Sequence, residues 1–159
     1  MDISKIPAGR DVPRDVNVVI EIPLGGVPVK YEVEKESGAM FVDRFLHTAM
    51  FYPCNYGFIP HTLADDGDPV DVLVAGPIPV MPEDEAGQDE KILSVPVDDL
   101  HPYYSNISNY SDLRGILLDQ ISHFFEHYKD LEEDKWVRIV RWGDAEEASD
   151  MIVKALVSE

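Results

Sequence analysis

Alternation of apolar and polar residues across positions 17–33 constrains the fold of this chain most strongly. Val18, Ile20 and Ile22 share one face of an extended segment, Gly25-Gly26 offers a turn, and Val29, Tyr31 and Val33 alternate again. The pattern predicts a β-hairpin. Because side chains alternate with period two, the other face carries Glu21 on the first strand and Lys30, Glu32 and Glu34 on the second. A column of ionisable groups therefore faces away from the apolar side.

Further short strands are expected over residues 40–45, 70–75, 92–97 and 136–142. Leu117, Ile121, Phe124 and Tyr128 recur at helical spacing, which predicts a helix within 113–131. A second helix closes the chain, with Asp144 and Glu147 as a capping box and Ala148, Met151, Ile152, Ala155 and Leu156 as its apolar face. Strands come first and helices last. That order argues for an antiparallel sheet or barrel with helices packed on one side, not for βαβ winding. Residues 76–82 hold three prolines and are expected to form a loop or a frayed edge.

The chain has 159 residues, enough for one domain spanning 1–159, and its apolar and aromatic content is too high for an acidic disordered tail. Its 31 acidic residues against 13 Lys and Arg leave a formal charge of −18. Such a surface repels nucleic-acid phosphates and anionic lipid, so neither nucleic acid nor membrane is expected as a partner. An anionic ligand must instead meet a local group of Lys and Arg, or bound divalent cations. Cys54 has no second cysteine to pair with and reads as a buried small hydrophobe. With no apolar signal core at the start and no membrane-length apolar run, a cytoplasmic location is expected.

The sharpest chemical signal is Asp65-Asp66-Gly67-Asp68-Pro69-Val70-Asp71, where a loop enters a strand. Carboxylates so close repel one another unless hard cations lie between their oxygens. A solvated acidic turn has the same composition, and the spacing is wrong for an EF-hand. A second acidic group, Asp84, Glu85, Asp89 and Glu90, precedes Lys91. Two such groups can meet at one end of a sheet and hold Mg²⁺, which favours a few carboxylates together with water and phosphate. Lys30, Arg44, Tyr52, Tyr56, Lys91, Tyr128 and Lys129 could supply phosphate donors; taken singly, Tyr52 and Tyr56 read as core aromatics and Lys129 as a side chain snorkelling at a helix end. His123 and His127 lie four apart on the first helix, and subunit packing accounts for them better than a metal does.

Together, Val19-Ile20-Glu21-Ile22-Pro23, Lys30-Tyr31-Glu32, Asp43-Arg44, Phe51-Tyr52-Pro53-Cys54-Asn55-Tyr56-Gly57, Asp66-Gly67-Asp68-Pro69-Val70-Asp71, Asp84-Glu85-Ala86-Gly87, Asp89, Lys91 and the run from His123 to Lys129 resemble the soluble family I inorganic pyrophosphatases of bacterial type. The resemblance covers nearly the whole chain. It implies a mainly β fold with flanking helices, an OB-type five-stranded antiparallel barrel plus two α-helices. It also implies Mg²⁺-dependent hydrolysis of diphosphate to two phosphates, several Mg²⁺ ions per site, and a homo-oligomer, commonly a hexamer.

Carried over by motif, Asp66, Asp71, Asp84, Asp89 and Glu32 would hold metal. Asp68 would be the general base for a water bridging two ions, with Glu21 and Tyr56 in support. Lys30, Arg44, Tyr56, Lys91, Tyr128 and Lys129 would bind phosphate. The chain departs from the family pattern between Pro82 and Glu83, where roughly fourteen residues, about two short strands, are absent. A barrel that binds divalent metal and phosphate with impaired catalysis is the alternative that this gap motivates. A nucleic-acid-binding OB domain is disfavoured by the charge.

Overall fold

A computed structural model of the chain describes residues 2–74, 78–84 and 87–157, with the backbone alone for 78–84 and for 87 and 88. Eleven strands are described: β1 (Gly9–Asp11), β2 (Asp15–Val16), β3 (Val19–Ile22), β4 (Val29–Val33), β5 (Met40–Phe45), β6 (Asn55–Phe58), β7 (Asp71–Val74), β8 (Ile78–Asp84), β9 (Gly87–Gln88), β10 (Lys91–Ser94) and β11 (Val137–Trp142). The two α-helices are α1 (Gly115–His127) and α2 (Ala145–Ala155). The fold is mainly β with two helices, as expected. Among the described residues no helix is long and apolar enough to cross a membrane.

The hairpin expected from the first alternation does not form. β3 pairs with β6, Ile22 opposite Tyr56, while β4 pairs with β5, Lys30 opposite Arg44. Pro23 and Pro28 each remove a backbone donor from the connection. Leu24 N–H donates instead to Asn55 Oδ1 at 2.9 Å and Gly25 N–H to the Tyr52 carbonyl at 3.3 Å. The connection is thus anchored to Tyr52 and to the first residue of β6, and β3 and β4 do not pair with each other. Gly57 permits this pairing, since a Cβ there would lie 1.9 Å from the Val19 carbonyl oxygen.

The main sheet runs in the order β11-β8-β10-β7-β6-β3, an open path among the described strands, with β9 added beside β8. One pair is parallel: β10 lies along β7 with Lys91 opposite Asp71 and Leu93 opposite Leu73. From Ile78 on, the proline-rich stretch is a strand, not a loop, because β8 has partners on both sides, Pro79 opposite Ile92 and Pro82 opposite Ile139; Gly76 and Pro77 lie outside the described residues. Proline forfeits a donor, but its carbonyl still accepts.

The helices cover opposite faces, not one. Leu73 and Leu93 pack with Ile121, Phe124 and Phe125 of α1, whereas their neighbours Val72 and Ile92 pack with Ala148, Ile152 and Ala155 of α2. Successive residues of a strand point to opposite sides, so both faces of β7 and β10 are buried. α1 is shorter than the apolar spacing predicts, and its three fully buried residues each contribute about 2 kcal/mol of apolar burial. Phe124→Ala would remove the ring that meets both Tyr52 and Tyr128. α2 carries the expected capping box: the Asp144 side chain accepts from Glu146 and Glu147 N–H, and Glu147 accepts from Asp144 N–H. Cys54 is buried, and burial pushes its thiol up to about 12.

Candidate active site

β7 begins at Asp71, and the turn before it is tightly built. Ala64 N–H donates to the Asp68 carbonyl at 2.7 Å, Gly67 takes φ +91°, and Asp68 N–H donates to Asp66 Oδ1 at 3.0 Å. Glycine serves here because that φ strains any residue with a Cβ. The turn holds three aspartates at one end of the sheet. Its parallel neighbour β10 begins at Lys91, directly across from Asp71, and brings Asp89 to the same end. Strand pairing therefore brings Asp89, of the second acidic group, to the first.

A cavity of ≈ 190 Å³ opens there, lined by Glu21, Lys30, Glu32, Arg44, Tyr56, Asp66, Asp68, Asp71, Asp89, Lys91, Tyr128 and Lys129. Every residue singled out from the sequence as catalytic, phosphate-binding or metal-binding lies on its wall wherever its side chain is described. The backbone of Asp84 pairs with Val137 and Gly87, and its side chain lies outside the described ones.

Lys91 sits at the centre of the polar network. Its buried ammonium donates to Asp71 Oδ2 at 2.7 Å and to both Asp89 oxygens at 2.8 and 2.9 Å. Burial works against that charge, but Asp71 and Asp89 more than offset it, so the amine titrates above its ordinary value. Tyr56 also donates to Asp71 Oδ2. Burial, reinforced by the Asp71 charge, pushes its phenol well above the usual range and keeps it a donor.

Lys30 bonds Glu32 and lies 3.3 Å from Asp43. Burial opposes its charge, and the two carboxylates overcome that penalty, raising its pKa. Glu21 accepts from Val33 N–H at 2.7 Å. Burial foremost, with the charges of Asp71 and Glu32, pushes it up to about 7 despite that hydrogen bond. Lys129 is largely buried in the cavity wall, its ammonium 5.7 Å from the centre of the Tyr128 ring.

The donors suit a hard divalent cation in type, since carboxylates from β3, β4, the 65–71 turn and the 89–91 segment face one small cavity. Among the described residues no three acidic, imidazole or thiol groups already converge to hold an ion. Protein ammonium groups lie against several of these carboxylates, Lys91 on Asp71 and Asp89, and Lys35 3.0 Å from Asp68. The set is therefore a carboxylate ring interleaved with cations.

The sequence profile of the inorganic pyrophosphatase family matches residues 18–158. The chain belongs to the inorganic pyrophosphatase family. The inorganic pyrophosphatase of Rhodospirillum rubrum is 62% identical over 173 positions, covering 100% of this chain and 97% of that protein, and that of Caulobacter vibrioides is 58% identical, covering 98% and 96%. A structure from Anaplasma phagocytophilum titled as an inorganic phosphatase superposes with a TM-score of 0.91 at 50% identity, covering 96% of this chain and 97% of that one. The Thermus thermophilus inorganic pyrophosphatase gives 0.89 at 35%, covering 98% and 97%. The 173 aligned positions exceed the 159 residues of this chain by fourteen, so that relative has residues with no counterpart here.

Three residues near the pyrophosphatase cavity escape sequence reasoning. Lys35 breaks the period-two phase of Lys30, Glu32 and Glu34, yet it reaches Asp68. Asp43 carries no signal beyond its place beside Arg44, and it contacts both Arg44 and Lys30. Glu132 lies 88 residues beyond Arg44, with nothing in the sequence to link the two. His123 and His127 lie outside this cavity, exposed on α1 with ring centres 4.6 Å apart.

Proposed function

We propose that this chain hydrolyses inorganic diphosphate to two phosphates with Mg²⁺, that Asp66, Asp71, Asp84, Asp89 and Glu32 supply the metal ligands, and that Asp68 is the general base. What supports this reading is the single cavity in which four of those five ligands meet the phosphate-binding set. Full-length similarity to named pyrophosphatases supports the hydrolytic reading over the impaired one. Divalent cations bound there would lower the pKa of water and offset the charge of the leaving phosphate.

The residues of the chain then have separate tasks. Asp68 accepts the proton of the water that attacks one phosphorus. The bridging P–O bond breaks, and the second phosphate leaves with that oxygen. The Asp68 main chain is held by the Asp66 side chain, while its carboxylate, 3.0 Å from Lys35, lines the cavity. Lys30, Arg44, Lys91 and Lys129 balance phosphate charge. Tyr56 and Tyr128 donate hydrogen bonds without adding charge.

The working form is proposed as a homohexamer in the cytoplasm, with His123 and His127 at subunit contacts. Supporting this, His123 lines a groove of ≈ 620 Å³ together with Leu24, Phe51 and Ile116, all three of them exposed apolar residues.

The test is phosphate release from diphosphate with and without Mg²⁺, for the parent and for Asp68→Asn. The parent should turn over only with Mg²⁺, and the variant should lose about 100-fold or more in kcat. A parent that is inactive with Mg²⁺, or a variant equal to the parent, refutes the assignment.

A further inference from the structure

Arg44 on β5 is held from two directions. Its Nε donates to Asp43 Oδ2 at 3.0 Å, and its Nη1 lies 3.5 Å from Glu132 Oε2. Asp43 is its neighbour in the same strand, so that contact says little about where the guanidinium points. Glu132 belongs to the segment that follows α1, the same segment that carries Tyr128 and Lys129. Its side chain is only 14% accessible, and its other oxygen, Oε1, is buried with no hydrogen-bond partner among the described residues.

A buried carboxylate oxygen without a donor is costly and calls for an explanation. The fork of a guanidinium matches both oxygens of a carboxylate. Here one long contact is made on Oε2, and Oε1 is left over for a second.

Two neighbouring bonds bind the same pair of segments: Thr48 Oγ1 donates to the Tyr128 carbonyl at 3.3 Å, and His47 Nδ1 lies 3.3 Å from the Leu131 carbonyl. Residues 44–48 and 128–132 thus form a clasp, and Arg44–Glu132 is its only ion pair among the described residues. Arg44 on one side and Tyr128 and Lys129 on the other all line the cavity, whereas Glu132 does not.

We infer that Glu132 is a positioning residue: it aims the Arg44 guanidinium into the cavity and fixes it relative to Tyr128 and Lys129, so that one phosphate group meets all three. The inference rests on the pyrophosphatase reading and adds to it a residue that never touches substrate. Loss of the Glu132 charge leaves Arg44 paired to Asp43 alone, free to swing along its own strand.

The experiment compares the parent, Glu132→Gln, Glu132→Asp, Arg44→Lys and the Arg44→Lys/Glu132→Gln double variant. It measures Mg²⁺-supported diphosphate kinetics, calorimetric Kd for inorganic phosphate, and thermal melting. Glu132→Gln should raise KM and the phosphate Kd about tenfold, the loss expected when a charge-assisted contact to a binding group goes, and change kcat far less. Glu132→Asp should recover part of the loss, and the double variant should bind no more weakly than Arg44→Lys alone.

Unchanged KM and Kd in Glu132→Gln, effects that multiply in the double variant, or a lowered melting temperature with Kd unmoved would each overturn the inference. A parent that releases no phosphate from diphosphate refutes the functional reading instead. In that case the phosphate Kd of Glu132→Gln against the parent still decides the role of Glu132.

Discussion

Lys91 and Asp71 stand directly opposite one another in the parallel pair of β10 and β7, and their side chains meet at 2.7 Å. The pairing turns backbone register into site geometry, because the first residue of each strand delivers one half of an ion pair to the same sheet end. Lys91 is 5% accessible there, while Asp71 and Asp89 keep 27% and 29% of their exposure.

Lys91→Met should cost about 2 kcal/mol in chemical denaturation without metal, at the low end for breaking a buried pair because the two carboxylates remain partly solvated. Adding Asp71→Asn should cost less than the sum of the single changes, since one of the stranded charges is then gone. A loss below about 0.5 kcal/mol would place Lys91 among ordinary surface residues.

Glu21 gives stability a pH dependence of defined sign. Its folded pKa is raised from 4.5 to about 7, so its contribution is fully present below 4.5 and is lost as the pH rises through 7. Glu21→Gln should therefore gain stability relative to the parent between pH 4.5 and 7 and level off above it, by on the order of 2 kcal/mol after allowance for partial exposure. Denaturation curves in chelator across that range provide the check. A difference that stays flat with pH contradicts the burial argument.

The start of α2 predicts a simple loss. Asp144→Ala removes the acceptor for two N–H groups and should lower stability by about 1 kcal/mol. Glu147, held down to about 2 chiefly by Arg141, stabilises the fold above its usual 4.5, and that support is lost as the pH falls toward 2. Glu147→Gln should flatten that acid limb in a melting series.

The proposed subunit contact makes a prediction about mass. His123 and His127 have adjacent rings on one exposed helix face, so His123→Asp/His127→Asp would set like negative charges against each other across a contact between copies. Light-scattering mass should fall in that variant and hold in a His123→Gln/His127→Gln one. Equal masses in all three proteins would remove the histidines from the contact.

Much of the local structure was legible without coordinates. β5 spans the residues expected of it, and the α2 capping box is present because Asp144 and Glu147 satisfy each other within one turn. The acidic clusters and the scarce cations near them were legible from composition, and the resemblance to the pyrophosphatases added Glu21, Glu32 and the separate roles. Pairing was not. The alternation on either side of Gly25-Gly26 reads as a hairpin, yet Asn55 and Tyr52 capture the connection and send β3 to β6. Likewise, no local pattern in the proline-rich stretch reports that β10 and β11 lie on either side of it.

Most extended and helical segments, the proline-rich stretch excepted, and the placement of charged side chains along them follow from the amino-acid order, because those properties depend on residues within a few positions of one another. Only the tertiary structure decided that β7 and β10 run parallel, that α1 and α2 take opposite faces of the sheet, and that Glu132 backs Arg44 across 88 positions. The physical reason is that contacts between distant segments are chosen by competition among all available partners for burial and hydrogen bonds, and that competition is settled only when the whole chain packs.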